Sequence, residues 1–571
     1  MSIIDWIILI ATLTGVIAYG LYKSRTTRDL DGYFLSNRTM PWWLVLLSVM
    51  GTQASAVTFL SVPGQSYMDG MRFVQFYFGL PLAMIVLCIT FVPIFHRLKV
   101  YTAYEFLENR FDSKTRTLTS LLFLLQRAMS TGISIYAPAI ILSSLLHWNI
   151  YWTNLFMGGL LIVYTVIGGA KAVAHTQMFQ MIVVFTGMFL AGYILVNSMP
   201  EGVGFMDAIN LGDKLGKMNV VTTGITKDGF DWGDRYNLIS GLIAGTIFQL
   251  SYFGTDQSQV GRYLTASSIK ESRTGLIMNG IVKVPMQFLI LLLGVLMFSF
   301  YMFFNHPVTF NTHQLEELSN SKYKAEAAHL QTRFDSVQGS KQTIVRQWVN
   351  DKENLQLIDH IKLHLQQEKV IQDSVKSLVK KVDSFSETID TNYIFLKFVI
   401  DHLPQGLIGL LIAVIFLAGW GSIAAALNSL SSTTVVDIHK KFIEKNCSGT
   451  RDYRLSKMYT LGWGGFCIIT AMFATKMGSL IEAVNILGSL FYGVILGIFL
   501  VAFYMKKVGG TAVFIAAVIT ELMVVALFFL NQYKYISLGF LWLTMLGALS
   551  VMLISAVLNI VIKKARPVDL T

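Results

Sequence analysis

Cysteine is nearly missing from this chain, three in 571 residues, and none of the three falls in the long polar stretches at 199–236 and 305–394. Cys88 and Cys467 sit in apolar runs and Cys447 in a basic loop, so neither a disulfide framework nor a thiolate metal site is expected. Charge is scarce as well. Asp, Glu, Lys and Arg make up 14% of the residues against 54% hydrophobic, and the mean hydropathy is +0.56. Soluble globular domains carry about 25% charged residues, so that class is excluded. The parts of an enzyme are also missing: there is no HExxH, no Walker loop after a strand, no nucleophile elbow and no pair of carboxylates inside an apolar run. The net charge of +11 is spread over short loops between apolar runs, which is the positive-inside pattern of a membrane protein. A nucleic-acid partner is not expected.

What the chain has is apolar runs of membrane length. A helix needs about 20 residues to cross roughly 30 Å of hydrocarbon, whereas a barrel strand needs about 9–11, so the expected fold is an all-α polytopic bundle in a lipid bilayer. Thirteen spans are expected, near 4–22, 43–64, 73–96, 117–146, 150–169, 177–198, 237–260, 275–304, 395–436, 456–475, 478–504, 511–531 and 536–562. The first lacks a basic leader and is followed by YKSRTTR, so it is expected to stay as a membrane helix. Basic residues fall after alternate spans: Arg25 and Arg28, Arg97 and Lys99, Lys171, Lys270 and Arg273, Lys440 and Lys441, Lys506 and Lys507, Lys563 and Lys564. This predicts a multi-pass protein of the cell (inner) membrane with its N-terminus outside and its C-terminus in the cytoplasm. The expected division is a leading helix and loop (1–40), the first part of a core (41–304), an external helical insertion (305–394), the rest of the core (395–504), and two final helices with a short tail (505–571). Within 305–394, Leu355, Ile358, Ile361 and Leu365 recur at helical spacing, as in a small amphipathic cap. The plainest reading of that cap is a solvated insertion that takes no part in what the core does.

The segment 41–67, PWWLVLLSVMGTQASAVTFLSVPGQSY, is apolar enough to enter a bilayer but carries Gly51, Thr52, Gln53, Ser55 and Thr58 in its middle. A helix that invites breaking is tolerated in hydrocarbon only where it lines a cavity or is buried in protein, and the broken turn offers carbonyl oxygens to a hard cation. Close helix packing through small residues explains the same composition. The span near 237–260 is interrupted likewise by Gln249, Ser251, Tyr252, Gly254 and Thr255, and paired interruptions in two halves point to a transporter's binding site. Spans two to eleven allow a five-plus-five arrangement of inverted repeats. Lys283 lies about ten residues, roughly 15 Å of helix rise, from its loop, too deep to snorkel, so it reads as functional. Arg127 lies in a span long enough to begin outside the membrane and reads as structural. The small and hydroxyl residues of AGWGSIAAALNSLSSTT (418–434) can offer oxygen ligands or simply close packing.

Five motifs in order resemble the sodium/solute symporter family: DGYFLSNRTMPWW, YAPA (136–139), GGAKAVAHTQMFQ (168–180), GTDQSQVGRYL (254–264) and ALNSLSSTTVVDI (426–438). The resemblance covers nearly the whole chain apart from 305–394. It implies a five-plus-five inverted-repeat core, with one helix before and two after, that moves a small polar solute (a sugar, polyol or small organic anion) with Na+ by alternating access. Carried over by position, the sodium site would use backbone oxygens of Gly51, Ala54 and Ala418 and the hydroxyl of Ser422. The substrate site would use Gln53, Thr58, Tyr77, Gln249, Lys283 and Asn485, with Tyr252 as a gating aromatic. Two departures bear on the ion: Gly421 stands where most relatives place a second Ser or Thr, and Gln177 where many have an aspartate. Tyr77 stands where sugar carriers have a carboxylate. A proton-coupled or sodium-independent carrier of the same fold and a transport-inactive solute sensor are the competing readings.

Overall fold

The protein was analysed as a computed structural model, which describes residues 1–24, 35–146, 148–383, 389–444, 449–474 and 479–565. Arg25, Arg28 and Cys447 lie outside the described residues, as do the side chains of Lys171, His175, Lys563 and Lys564. The chain is helical almost throughout. In order, the α-helices are α1 (Ile3–Ser24), α2 (Trp42–Gln53), α3 (Ala56–Asp69), α4 (Leu80–Ile89), α5 (Phe91–Leu98), α6 (Glu105–Arg110), α7 (Ser113–Leu146), α8 (Ile150–Asn197), α9 (Phe205–Lys214), α10 (Gly245–Thr255), α11 (Gln257–Tyr263), α12 (Ile269–Phe303), α13 (Thr312–Ser319), α14 (Lys324–Asn350), α15 (Leu355–Val382), α16 (Ile394–His402), α17 (Leu407–Thr433), α18 (Gly449–Phe473), α19 (Leu480–Tyr504), α20 (Gly510–Gln532) and α21 (Phe540–Ala565). A two-residue hairpin pairs Ile225–Thr226 with Gly229–Phe230. Among the described residues, eight helical stretches are long and apolar enough to cross a membrane, one of them (Ala56–Leu98) running through α3, α4 and α5, and Ile3–Tyr19, Trp42–Gln53 and Ile150–Val166 are shorter apolar helices. The expected spans near 237–260 and 456–475 are helical but are not among these.

The expected spans at 150–169 and 177–198 carry one continuous run of helical hydrogen bonds, yet that run cannot be straight. Twelve residues of helix rise about 18 Å. The hydroxyls of Tyr164 and Thr176 are 2.9 Å apart, so the chain turns back between them. The ninth expected span, 395–436, needs correction: its start is the separate helix α16, and the long helix begins only at Leu407. Pro404 cannot extend α16, and Gly406 takes φ +88°, which favours glycine. Asp5 of α1 then caps α17, its Oδ1 accepting from Gly406 N (2.6 Å) and Gly409 N (3.2 Å). Beyond Thr433 the helix widens into a π-turn segment as far as Ile443.

The insertion packs against the bundle as well as on itself. Helices α14 and α15 form an antiparallel hairpin with a small core of its own, built on Leu330, Phe334, Ile371 and Val375. Within it, Lys341 and Glu368 pair at 2.7 Å out of contact with water. The other end of the hairpin joins the main core through Trp348, Val345, Ile358 and Ile361, and two ion pairs, Lys352–Asp207 (2.5 Å) and Lys214–Glu353 (3.3 Å), tie it to α9. Leaving the insertion, Thr391 and Asn392 drop onto α3. A Cβ at Gly64 would overlap the Thr391 carbonyl, and Asn392 Oδ1 accepts from Ser61 Oγ (2.8 Å) and from Leu480 N at the start of α19 (3.4 Å). At the opposite end of the bundle, Arg116 pairs with Asp437 (2.5 Å) and Glu108 (2.7 Å), and Lys440 with Asp452 (2.6 Å).

Candidate solute and ion site

The expected break in the second span is present, at Ala54 (ψ 87°) and Ser55 (ψ 174°) between α2 and α3. Pro63, by contrast, lies inside α3 without ending it. At the break Ser55 N turns to the Gln53 carbonyl (3.2 Å) and Thr58 N to the Ser55 carbonyl (3.0 Å). The helical bonds these amides would have given to Gly51 and Ala54 are therefore not made. The two carbonyls released are the two that the family resemblance implies for sodium. The second interruption falls at Asp256 (ψ 115°), between α10 and α11.

Six of the seven expected solute residues meet in one polar cavity of about 70 Å³: Gln53, Thr58, Tyr77, Gln249, Tyr252 and Asn485. Lys283 does not line it. Its Nζ is buried behind Tyr77, 5.6 Å from the centre of that ring, with no hydrogen-bond partner. Asn279 and Gln287, one helical turn to either side of Lys283, are buried on α12 with their amides equally unpartnered.

The cavity also contains a residue that sequence reasoning set aside. Arg127, from α7, lines it together with Ser130 and Tyr492. Its NH1 stands 3.5 Å from Asp256 Oδ2, a loose ion pair, because Asp256 is already taken up by Ser258 N (2.8 Å), Ser258 Oγ (2.6 Å) and the Tyr492 hydroxyl (2.7 Å). Arg127 Nε is buried without a partner, as are both amide atoms of Gln249, Gln53 Oε1 and Asn485 Nδ2. A buried polar atom left unpaired costs about 1–3 kcal/mol, so a cavity with this many is built to be filled by something polar.

A second cavity of about 50 Å³ shares Gln53, Ser55, Arg127, Ser130 and Tyr252 with the first and extends to Thr52, Thr131, Ser134 and Ser422. Beside Arg127 it offers neutral hydroxyls, hard oxygens of the kind a small monovalent cation takes. No cluster of three His, Cys, Asp or Glu is found among the described residues. Of the expected ion ligands, Ser422 lines this cavity, its Oγ donating to the Gly419 carbonyl (3.0 Å). Gly51, Ala54 and Ala418 do not line it. Ala418 lies inside unbroken α17.

The departures at 177 and 421 turn out to be one feature. Gln177 Nε2 donates to Thr52 Oγ1 (3.1 Å) and to the Gly421 carbonyl (3.2 Å), while its Oε1 accepts from Ser48 Oγ (2.8 Å). One amide thus ties α2 to α17. The room a side chain at 421 would need is filled: a Cβ there would overlap Gln180 Oε1 and lie 3.2 Å from Gln177 Cγ.

A bundle with two interrupted helices around a polar cavity, beside hydroxyls and freed carbonyls, defines a secondary transporter. The chain belongs to the sodium:solute symporter family, whose profile matches residues 33–324 and 375–520, and Na+ is the coupling ion of that family. Among curated proteins it is similar to the sodium/sialic acid symporter NanT of Aliivibrio fischeri, 23% identical over 96% of this chain and 92% of that one. It is also similar to the sodium-dependent multivitamin transporter of Oryctolagus cuniculus (25%, covering 87% and 66%) and, over 48% of its length and 41% of the other's, to the human sodium/iodide cotransporter (30%). Its fold matches the substrate-bound outward-open structure of a Na+-coupled sialic acid symporter, with a TM-score of 0.75 over 98% of both chains at 21% identity. The family profile omits 325–374, which is most of the α14–α15 hairpin.

Proposed function

We propose that the protein is a multi-pass membrane symporter that moves a small organic anion on a Na+ gradient. The observation that carries this reading is Arg127, a buried guanidinium in the solute cavity that pairs only loosely with Asp256 (3.5 Å), a carboxylate already accepting from Ser258 and Tyr492, and whose Nε has no partner. Arg is suited to carboxylate because its planar fork can grip both oxygens. Gln249 and Asn485 add amide donors, Gln53 and Gln249 add acceptors, and Tyr252, Tyr77 and Thr58 complete the wall. Two of the relatives are named for sialic acid and iodide, both anions. The cavity is far below the roughly 300–1,000 Å³ of drug-sized sites, which fits a small solute. Lys283 supports the site from behind Tyr77, 5.6 Å from the centre of that ring, without touching the solute.

For Na+, the reading places the released carbonyls of Gly51 and Ala54, the Ala418 carbonyl and the Ser422 hydroxyl around the ion, with Gln180 Oε1 as the oxygen that replaces the hydroxyl lost at Gly421. Bound ion and solute would hold the α2–α3 break against α17, and their release would let the two part. In orientation, the basic loops put the insertion outside and the C-terminus in the cytoplasm. Single cysteines in 324–350 should react with an impermeant thiol reagent on intact cells; labelling only after lysis would reverse this topology.

The test is uptake into proteoliposomes under an inward Na+ gradient, comparing small carboxylates with neutral polyols and sugars. Carboxylates should accumulate, and Arg127→Gln should lose saturable uptake while remaining monodisperse. Preferential uptake of a neutral polyol, unaltered by Arg127→Gln, would remove the anion reading.

A further inference from the structure

A larger cavity lies apart from the solute site. It is an apolar groove of about 410 Å³ between the second arm of α8 and α12, lined by Phe185, Met188 and Tyr193 on one side and Leu289, Leu293 and Leu296 on the other. Both walls belong to helices long and apolar enough to cross the membrane. Its rim faces outward: Phe189 is 75% exposed and Leu289 63%, so the groove is continuous with the surface these spans turn to hydrocarbon. Its floor is Phe59, fully buried in the first turn of α3.

We infer that this groove holds one acyl chain of a bilayer phospholipid, drawn from the leaflet on the side of the insertion. Length supports this occupant. The groove runs along α8 from Val184 to Val196, about 18 Å of helix rise, close to the roughly 15 Å of hydrocarbon in a single leaflet. Its end also lies where a lipid's polar head would begin. Phe205 closes the groove, and two residues further on Asp207 pairs with Lys352 at 2.5 Å, so apolar wall gives way to charge within half a helical turn. Exposed aromatic Tyr193 stands near that end, as aromatic residues do at membrane interfaces.

The position of Phe59 distinguishes this site from ordinary lipid-facing surface. Thr58, its chain neighbour, lines the solute cavity. The first turn of α3, next to the break, is therefore the partition between solute and lipid, and the acyl chain rests against the same turn from the other side. A chain seated here fills space that α3 would otherwise be free to enter.

Photo-crosslinking tests the assignment. The full-length protein would be reconstituted in phosphatidylethanolamine and phosphatidylglycerol vesicles containing a minor fraction of phosphatidylethanolamine with a diazirine in its acyl chain, and adducts mapped by peptide mass spectrometry. Adducts should concentrate on 184–196 and 286–296, several-fold above those at exposed Leu553 and Ile560 of α21. Gly192 faces the groove with only Leu293 Cδ1 near a Cβ position, at 3.8 Å, so Gly192→Trp should fill it and abolish the groove adducts while sparing those on α21. Gly192→Ala should leave the adducts in place. Adducts spread evenly over all lipid-facing helices, or groove adducts indifferent to Gly192→Trp, would reduce the site to annular lipid and overturn the inference. Protein–protein adducts joining two copies across the groove would overturn it in favour of a subunit interface.

Discussion

Replacing Gln177 by alanine removes a tie that the structure lets us count. Three hydrogen bonds are lost, to Ser48, Thr52 and the Gly421 carbonyl, all among buried residues. At about 1 kcal/mol net each, the joint between α2 and α17 weakens by roughly 3 kcal/mol, an upper bound because Thr52 keeps its own bond to the Ser48 carbonyl (2.8 Å). At 1.4 kcal/mol per tenfold this limits the effect to about 100-fold. If bound Na+ draws together the same two helices, Gln177→Ala must raise the Na+ concentration for half-maximal uptake, by about 10- to 100-fold on this arithmetic. Gln177→Glu differs in kind. It keeps an acceptor for Ser48 but sets a carboxylate oxygen against the Gly421 carbonyl, two acceptors that repel until a cation lies between them. Its uptake should be as poor as that of the alanine variant at low Na+ and recover steeply as Na+ rises. The assay is initial uptake rate against Na+ in proteoliposomes at saturating solute, on protein shown to be monodisperse. Unchanged half-saturation in Gln177→Ala, or identical curves for the two variants, would refute the amide tie.

Other outcomes follow from the same geometry. Lys283→Ala should weaken solute affinity with little effect on folding, since its Nζ gives up no hydrogen bond; solute titration monitored by thermal shift checks this, and wild-type affinity would make the lysine structural. Outside the membrane, burial chiefly, with the neighbouring Lys341 charge, pushes His306 down to about 3. Because the unfolded value is 6.5, the unfolded chain binds the extra proton between pH 3 and 6.5, and His306 makes stability rise with pH across that window by up to about 1.4 kcal/mol per unit. His306→Phe should flatten the melting temperature measured from pH 6.5 to pH 4; an unaltered slope would place the acid sensitivity elsewhere. Gly64→Ala drives a methyl into the Thr391 carbonyl and should cost about 1–3 kcal/mol by overpacking, seen as a lower melting temperature and a changed uptake rate. A variant with both unaltered would show that the insertion and α3 do not bear on each other.

The break in α2–α3 was legible because a bilayer leaves few explanations for Gly, Thr, Gln and Ser in the middle of an apolar run. Of the seven residues that the family resemblance assigns to the solute, six share a cavity. Arg127 was not legible, because a long helix hides its register to the membrane: the same sequence distance serves a snorkelling arginine and a buried one. The cavity and the unpartnered Nε separate them. Lys283 was read correctly as buried, but sequence could not show that Tyr77 stands beside it, toward the cavity. Gln177 read as a lost charge; that its amide bonds reach two other helices depends on contacts between residues 125, 129 and 244 apart in the chain. The late start of α17 was legible in Pro404 and Gly406, which the hydropathy of 395–403 outweighed.

The hairpin of the insertion behaves as a beam held at both ends. Its helix α14, 27 residues and so about 40 Å long, ends beside the ion pairs on α9, while Thr391 and Asn392, after the hairpin in the chain, join α3. A beam with one fixed end follows whatever it is attached to, whereas one fixed at both resists. The two fixings differ in kind: the joint on α3 is buried and uncharged at Asn392, but the far end adds to its buried Val345, Trp348, Ile358 and Ile361 a set of surface pairs in which Glu353 is 88% exposed. Exposed pairs loosen as salt rises, with a Debye length near 8 Å at physiological ionic strength. The stiffness opposing the swing of α3 is therefore set in part by the ionic strength outside the bundle, and a transporter carrying such a beam would run more freely in brine than in fresh water even at constant Na+.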